Sequence, residues 1–198
     1  MKIRLTAAAL CLLALPVLAQ DKPKEPMAPE MSAAEMEAMQ KAMTPGEPHK
    51  HLARMVGDWT YSSKMWMDPS QPATESSGTM HGETILGGRF VQATWTGNFM
   101  GMSFEGRGTE GYDNVAKQYV STWVDNMGTG ILYSTGTCDE KGMKCSNKGD
   151  MMDPMTGKKS YMRSEVTWMD ANTFKNEMYG PGPDGKEFKW MEMTVKRK

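Results

Sequence analysis

The chain has 198 residues, 24% of them charged and 39% hydrophobic, and its 23 basic residues against 24 acidic ones give a net charge of −1. That balance excludes the basic footprint a nucleic-acid partner requires. The length is one domain's worth, enough to bury a core without a second domain.

Lys2 and Arg4 accompany an apolar run from Ile3 to Leu18, and Val17-Leu18-Ala19 supplies a small-residue cleavage site. Residues 1–19 therefore read as a secretory signal cut before Gln20. A membrane-spanning helix needs about 20 apolar residues. Pro16 and the polar Gln20-Asp21-Lys22 end this run too early, so no stable membrane span is expected after cleavage. Leu10 before Cys11 makes a poor lipid-attachment site. The expected location is periplasmic or secreted.

Residues 20–48 are rich in Pro, Glu, Lys, Ala and Met and nearly free of aliphatic and aromatic residues, the composition of a flexible linker. Within it Ser32 and Glu35 stand at capping-box spacing, and Ala33 to Met43 predict one short helix ended by Pro45. Met36, Met39 and Met43 fall on one stripe of that helix, available to the rest of the chain or to a protein partner that the sequence does not name.

From residue 49 to 198 the pattern is that of one β-barrel domain. After Gly57-Asp58-Trp59 the hydrophobic period becomes two, and turn residues recur at Asp68-Pro69, Gly87-Gly88, Asp113-Asn114, Met127-Gly128, Lys141-Gly142, Asp153-Pro154, Asp170-Ala171-Asn172 and Pro181 to Gly185. About ten short strands without long helices predict an antiparallel barrel in preference to a sandwich. Trp59, Tyr61, Met65 and Met67 share one face of the first strand, and Met191, Met193, Val195 and Arg197 one face of the last. Those are the expected interior faces, with Arg197 stacked on Trp59. Cys138 and Cys145 flank the turn Asp139 to Met143. A disulfide is the expectation, unless a Gly142 bulge sets the two cysteines diagonally.

Several strings imitate catalytic motifs without their context. Gly106-Arg107-Gly108-Thr109-Glu110-Gly111 spells a dinucleotide fingerprint but lies within a strand pattern with no helix to follow, so its glycines are read as relieving crowding in a curved strand. Gly180 to Lys186 mimics a phosphate loop with Glu187 where a hydroxyl belongs, and Gly101 to Glu105 misses a nucleophile elbow by one residue. The three histidines are His49, His51 and His81, and His81-Gly82-Glu83 has no Cys-x-x-Cys partner for zinc. No catalytic residue, metal site or cofactor is assigned.

The motifs HKHLARMVGDWT, KMWMDP, ILGGRF, MGMSFEG, GYDN, YVSTWVDNM, DPMTGK, DGKEFK and MEMTVKRK occur in that order from His49 to Lys198. With them the chain resembles the bacterial family filed as domain of unknown function 1579. The resemblance implies a calycin, that is lipocalin-like, barrel in an exported setting and no established activity. In that superfamily a Gly-x-Trp on the first strand and a basic residue on the last close one end, and Gly57, Trp59 and Arg197 match those positions. Nitrobindin, a similar barrel, ligates haem through a histidine near its C-terminal end; no histidine follows His81 here, so that ligation does not carry over.

Three functions stay in view. Six tryptophans and 22 methionines suit a barrel that binds a small, largely apolar molecule without catalysis. Met65-x-Met67, Met100-x-Met102, Met151-Met152 with Met155, Met191-x-Met193 and His49-x-His51 are soft ligands for Cu(I) or redox buffering, or simply adaptable interior side chains. An enzyme is the third reading. Arg89, Tyr112, Trp123, Asp125, Arg163 and Glu177 match family motifs on core-like strands and form either an ion-pair network or a polar ligand site. In the latter, Arg163, Glu177 and Asp125 orient a polar head and Trp123 supplies a stacking wall.

Overall fold

The computed structural model describes residues 31–198, so the expected signal and the start of the linker lie outside the described residues. The turn-punctuated alternation becomes ten antiparallel strands: β1 (Gly57–Met65), β2 (Thr74–Ile85), β3 (Phe90–Phe99), β4 (Met102–Asp113), β5 (Gln118–Asp125), β6 (Leu132–Cys138), β7 (Lys144–Met152), β8 (Lys159–Asp170), β9 (Thr173–Pro181) and β10 (Glu187–Arg197). Each strand pairs with the next. β10 returns to β1, from Trp59 opposite Arg197 to Met65 opposite Met191, and closes a lipocalin-like barrel. Closure satisfies every strand edge within the sheet, which an open sheet of this length does not achieve.

Two helices precede β1. In α1 (Ala33–Met43) the Ser32 side chain accepts from the Glu35 backbone while the Glu35 carboxylate accepts from the Ser32 N–H at 2.7 Å, the expected capping box. Its last turn is tied to the barrel by Asn114, whose amide donates to the Lys41, Ala42 and Thr44 carbonyls; Met36, Met39 and Met43 stay exposed. α2 (Glu47–Leu52) straddles the expected linker–barrel boundary and continues into a single 3-10 turn at Ala53–Met55. Among the described residues no helix is long and apolar enough to cross a membrane.

Alternation puts Trp59, Tyr61, Ser63 and Met65 inside β1. Met67, expected on that face, lies beyond the last residue of β1 and is exposed. The densest packing sits where β1 begins and β10 ends, here termed the closed end. There Trp59, Met80, Val91 and Val195 are fully buried, and the Trp59 ring meets Trp168 and Phe174 edge-on at 5.9 and 5.5 Å. The Arg197 guanidinium lies 4.0 Å over Trp59 and donates to the Val56 and Arg54 carbonyls at 2.8 and 2.9 Å. Gly57, Trp59 and Arg197 thus meet at the β1–β10 seam.

Cys138 and Cys145 stand directly opposite one another and are bridged, with Cα atoms 4.0 Å apart. The diagonal alternative is avoided because Gly142, at φ +61°, completes the turn while Asp139 accepts from the Gly142 and Met143 N–H groups at 2.9 and 2.7 Å. A bridge across so short a loop constrains the unfolded chain modestly. Replacing both cysteines by serine is expected to cost about 2 kcal/mol, read as a lower urea midpoint with an unchanged slope.

Candidate functional site

Between the closed end and the opposite, distal end the barrel encloses a cavity of about 400 Å³. Its floor is α2 and the 3-10 turn, which contribute His51, Leu52 and Met55. That floor is pinned by Arg54, which donates to the Gly142 and Lys141 carbonyls at 3.1 and 2.8 Å, and by His51, whose Nδ1 lies 3.1 Å from the Tyr119 hydroxyl.

One wall is aromatic. Tyr61 and Trp95 have ring centroids 5.5 Å apart, Trp95 and Trp123 6.5 Å, and Phe104 stacks on Trp123 at 6.4 Å and 20°. The glycines of β4 make this wall possible: a Cβ at Gly106 would collide with the Trp123 indole, whereas one at Gly108 would enter the cavity with ordinary contacts only. The fingerprint-like string is therefore a packing device, as expected. The facing wall is polar, with Ser121, Ser134, Asn147, Ser164 and Asn176 on the successive strands β5 to β9. Ser164 donates to the Asn176 side-chain oxygen at 3.0 Å. In β10 a bulge between Lys189 and Met191 breaks strict alternation, so Trp190 and Met191 both reach the cavity.

The structure divides the expected ligand residues. Trp123 and Asp125 line the cavity, the indole N–H donating to Asp125 at 2.7 Å, and Asp125 also accepts from the Met127 N–H at 3.0 Å. Tyr112 points inward below the cavity, edge-on to Tyr119 at 5.0 Å and to the buried His49 at 6.0 Å. Arg163 and Glu177 do not join them. They alternate with the cavity-lining Met162, Ser164, Asn176 and Met178 and so occupy the outer face, where they belong to two separate ion-pair groups. Arg163 bonds Glu165 and Glu187 and lies 4.1 Å over Tyr179. Glu177 accepts from Lys175 and Lys189 at 3.2 and 2.8 Å, and these lysines hold its carboxyl below the usual range. Arg89 sits outside the strands after β2, donating to the Leu86 carbonyl at 3.1 Å. The polar head site expected from Arg163, Glu177 and Asp125 is corrected accordingly.

The methionines divide too. Met65, Met162, Met178, Met191 and Met193 line the cavity, with Met191 paired in register to both Met65 and Met178. Met100, Met102, Met151, Met152 and Met155 are exposed. His49 and His51 are engaged separately, His49 by accepting the Gly46 N–H at 3.0 Å and His51 at Tyr119.

One interior residue was absent from the expectations. Glu110 faces inward from β4, paired with Val91 and Ser121. The residue is half-buried and lines the cavity. Burial pushes its carboxyl up to about 7. The signal was available in β4, where Phe104, Gly106, Gly108 and Glu110 share one parity.

The model of the family described as "Protein of unknown function (DUF1579)" matches residues 44–197. No curated protein matches the chain significantly. Among solved structures, Rv2717c from M. tuberculosis is similar at a TM-score of 0.59 and 11% identity, over 78% of this chain and 99% of its own. The S-type phycobiliprotein lyase CPES from Guillardia theta is similar at a TM-score of 0.54 and 9% identity, over 81% of this chain and 96% of its own. At these identities the likeness is one of fold.

Proposed function

The chain belongs to the DUF1579 family, and from that premise we propose that it is an exported, non-enzymatic binding protein that holds a small, largely apolar molecule inside its barrel. The observation that carries this reading is the cavity itself. A self-filled barrel of this kind would close its interior with side chains, whereas here about 400 Å³ remains between an aromatic wall and a polar one. That volume falls within the range of small-molecule sites, which typically combine apolar lining with a few polar groups. Export is supported by the signal-like pattern of residues 1–19 and by the Cys138–Cys145 bridge, a bond that persists in oxidising compartments.

Native mass spectrometry of the gently purified mature protein, compared with its denatured mass, tests the reading. An excess native mass of organic size is expected, and it should vanish in Gly108→Leu, which fills the cavity from a position with room for a side chain. A native mass equal to the denatured one would count against a carrier. A copper-sized increment would assign the interior methionines to soft-metal binding instead.

A further inference from the structure

The charge of the cavity is one-sided. Among the described residues its lining contains two carboxylates, Glu110 and Asp125, and no lysine or arginine. Asp125 stands at the distal end of β5 with its oxygens already engaged by the Trp123 and Met127 N–H groups. Glu110 lies deeper, one inward position from the Tyr112–Tyr119 pair of β4 and β5. Among the described residues its side chain makes no hydrogen bond and no ion pair, and its carboxyl oxygens are not fully buried. His51 and Tyr119 also line the cavity, but they bond each other.

A carboxylate enclosed by protein is unfavourable unless a cation or donor reaches it. Every other charged group of the interior or its ends has such a partner: Arg197 has Trp59 and two carbonyls, Asp125 has two N–H groups. Among the described residues the Glu110 side chain lacks one, and it opens onto the space where a ligand would lie. The wall across β1, β3, β4 and β5 presents the rings of Tyr61, Trp95, Phe104 and Trp123, whose negative faces attract a cation. An anionic amphiphile such as a fatty acid would meet the opposite conditions, a like charge and no basic group to neutralise it.

We infer that the molecule held in this barrel is a small apolar amine whose ammonium group is received by Glu110. The inference rests on the binding reading above and deepens it. Recognition proceeds without covalent chemistry: the ammonium donates to the Glu110 carboxylate, the apolar body lies against the aromatic wall, and Ser121 beside Glu110 offers a further polar atom. Because burial holds the Glu110 carboxyl up to about 7, an ammonium bound near that pH displaces its proton.

Calorimetric titration of the full mature chain, disulfide intact, with three probes of similar shape provides the test. The probes are phenethylamine, 2-phenylethanol and 3-phenylpropionate, with the neutral dye Nile red as an independent reporter of cavity entry. At about pH 8, where a carboxyl of this affinity is ionised, phenethylamine is expected to bind about 10- to 100-fold more tightly than 2-phenylethanol, the difference a charge-assisted hydrogen bond makes. 3-Phenylpropionate should be the weakest. In Glu110→Gln the preference for the amine should disappear while Nile red still binds. Near pH 7, titration in two buffers of different ionisation enthalpy should show proton release by the parent and none by the variant. If Nile red or 2-phenylethanol enters and phenethylamine has no advantage, the amine inference is overturned and the binding reading survives. If none of the four enters, both fall.

Discussion

Replacing Trp59 by alanine is expected to destabilise the protein by about 3–5 kcal/mol, at the upper end of what single core truncations cost. Three losses coincide at that side chain. The ring is fully buried and touches Trp168 and Phe174, so its removal leaves a large void at the closed end. Its indole N–H donates to the Met55 carbonyl at 3.0 Å, a bond that ties the 3-10 turn to β1. Its face carries the Arg197 guanidinium across the β1–β10 seam. Urea denaturation followed by far-ultraviolet circular dichroism measures the change. A loss below about 1.5 kcal/mol, the range of a tolerated core swap, would mean that the closed end repacks and that its barrel-closing role lies elsewhere.

The second large effect concerns pH. A carboxyl whose folded-state affinity is raised from 4.5 to about 7 binds its proton more tightly in the native protein than in the unfolded one. Its stabilising contribution is therefore complete below pH 4.5 and is lost as pH rises through about 7. The full difference is about 3 kcal/mol. His49 opposes this trend: burial and the nearby Arg89 lower its affinity for a proton, so its contribution favours the folded state more as pH rises through its ordinary value. His51, Tyr119 and Asp125 also face the cavity with Glu110. Comparison with Glu110→Gln removes these shared contributions. Without ligand, the variant should match the parent near pH 5 and exceed its stability by roughly 2–3 kcal/mol near pH 8.5. Parallel stability curves for the two proteins across that interval would show that Glu110 is not held in the barrel as described.

The architecture was legible because local signals agreed with one another. Turn residues marked eight of the nine strand connections, missing only Met100-Gly101, the Ser32–Glu35 box marked α1, and the parity of Trp59 and Tyr61 against that of Val195 and Arg197 pointed both end strands inward. The site was less legible, for reasons visible in particular residues. In β8 the apolar Met162, Val166 and Trp168 alternate with Tyr161, Arg163 and Glu165, so Arg163 could have been placed outside by parity. An arginine on a strand that also carries core residues invites a functional reading that the parity does not support. Glu177 lies outside by the same parity, between the cavity-lining Asn176 and Met178. Glu110 is harder to read because the glycines around it leave β4 without an apolar alternation to mark its inward face. The floor was missed for another reason: α2 has six residues, too few to display a helical period, and the approach of His51 to Tyr119 spans 68 positions of sequence.

The β1–β10 seam bears on the order in which this molecule becomes a container. Every other strand pairing joins neighbours along the chain, but the seam joins residues 57–65 to 187–197. Hairpins can form as each pair of strands becomes available, whereas sealing must wait for the last strand and bear the closure entropy of nearly the whole domain. A chain threaded through a membrane from its N-terminus would therefore stay an open, incomplete sheet until Val195 and Arg197 emerged. If the chain is exported as a carrier, loading would belong after that moment, on the far side, because before it there is no enclosed space for a ligand to occupy.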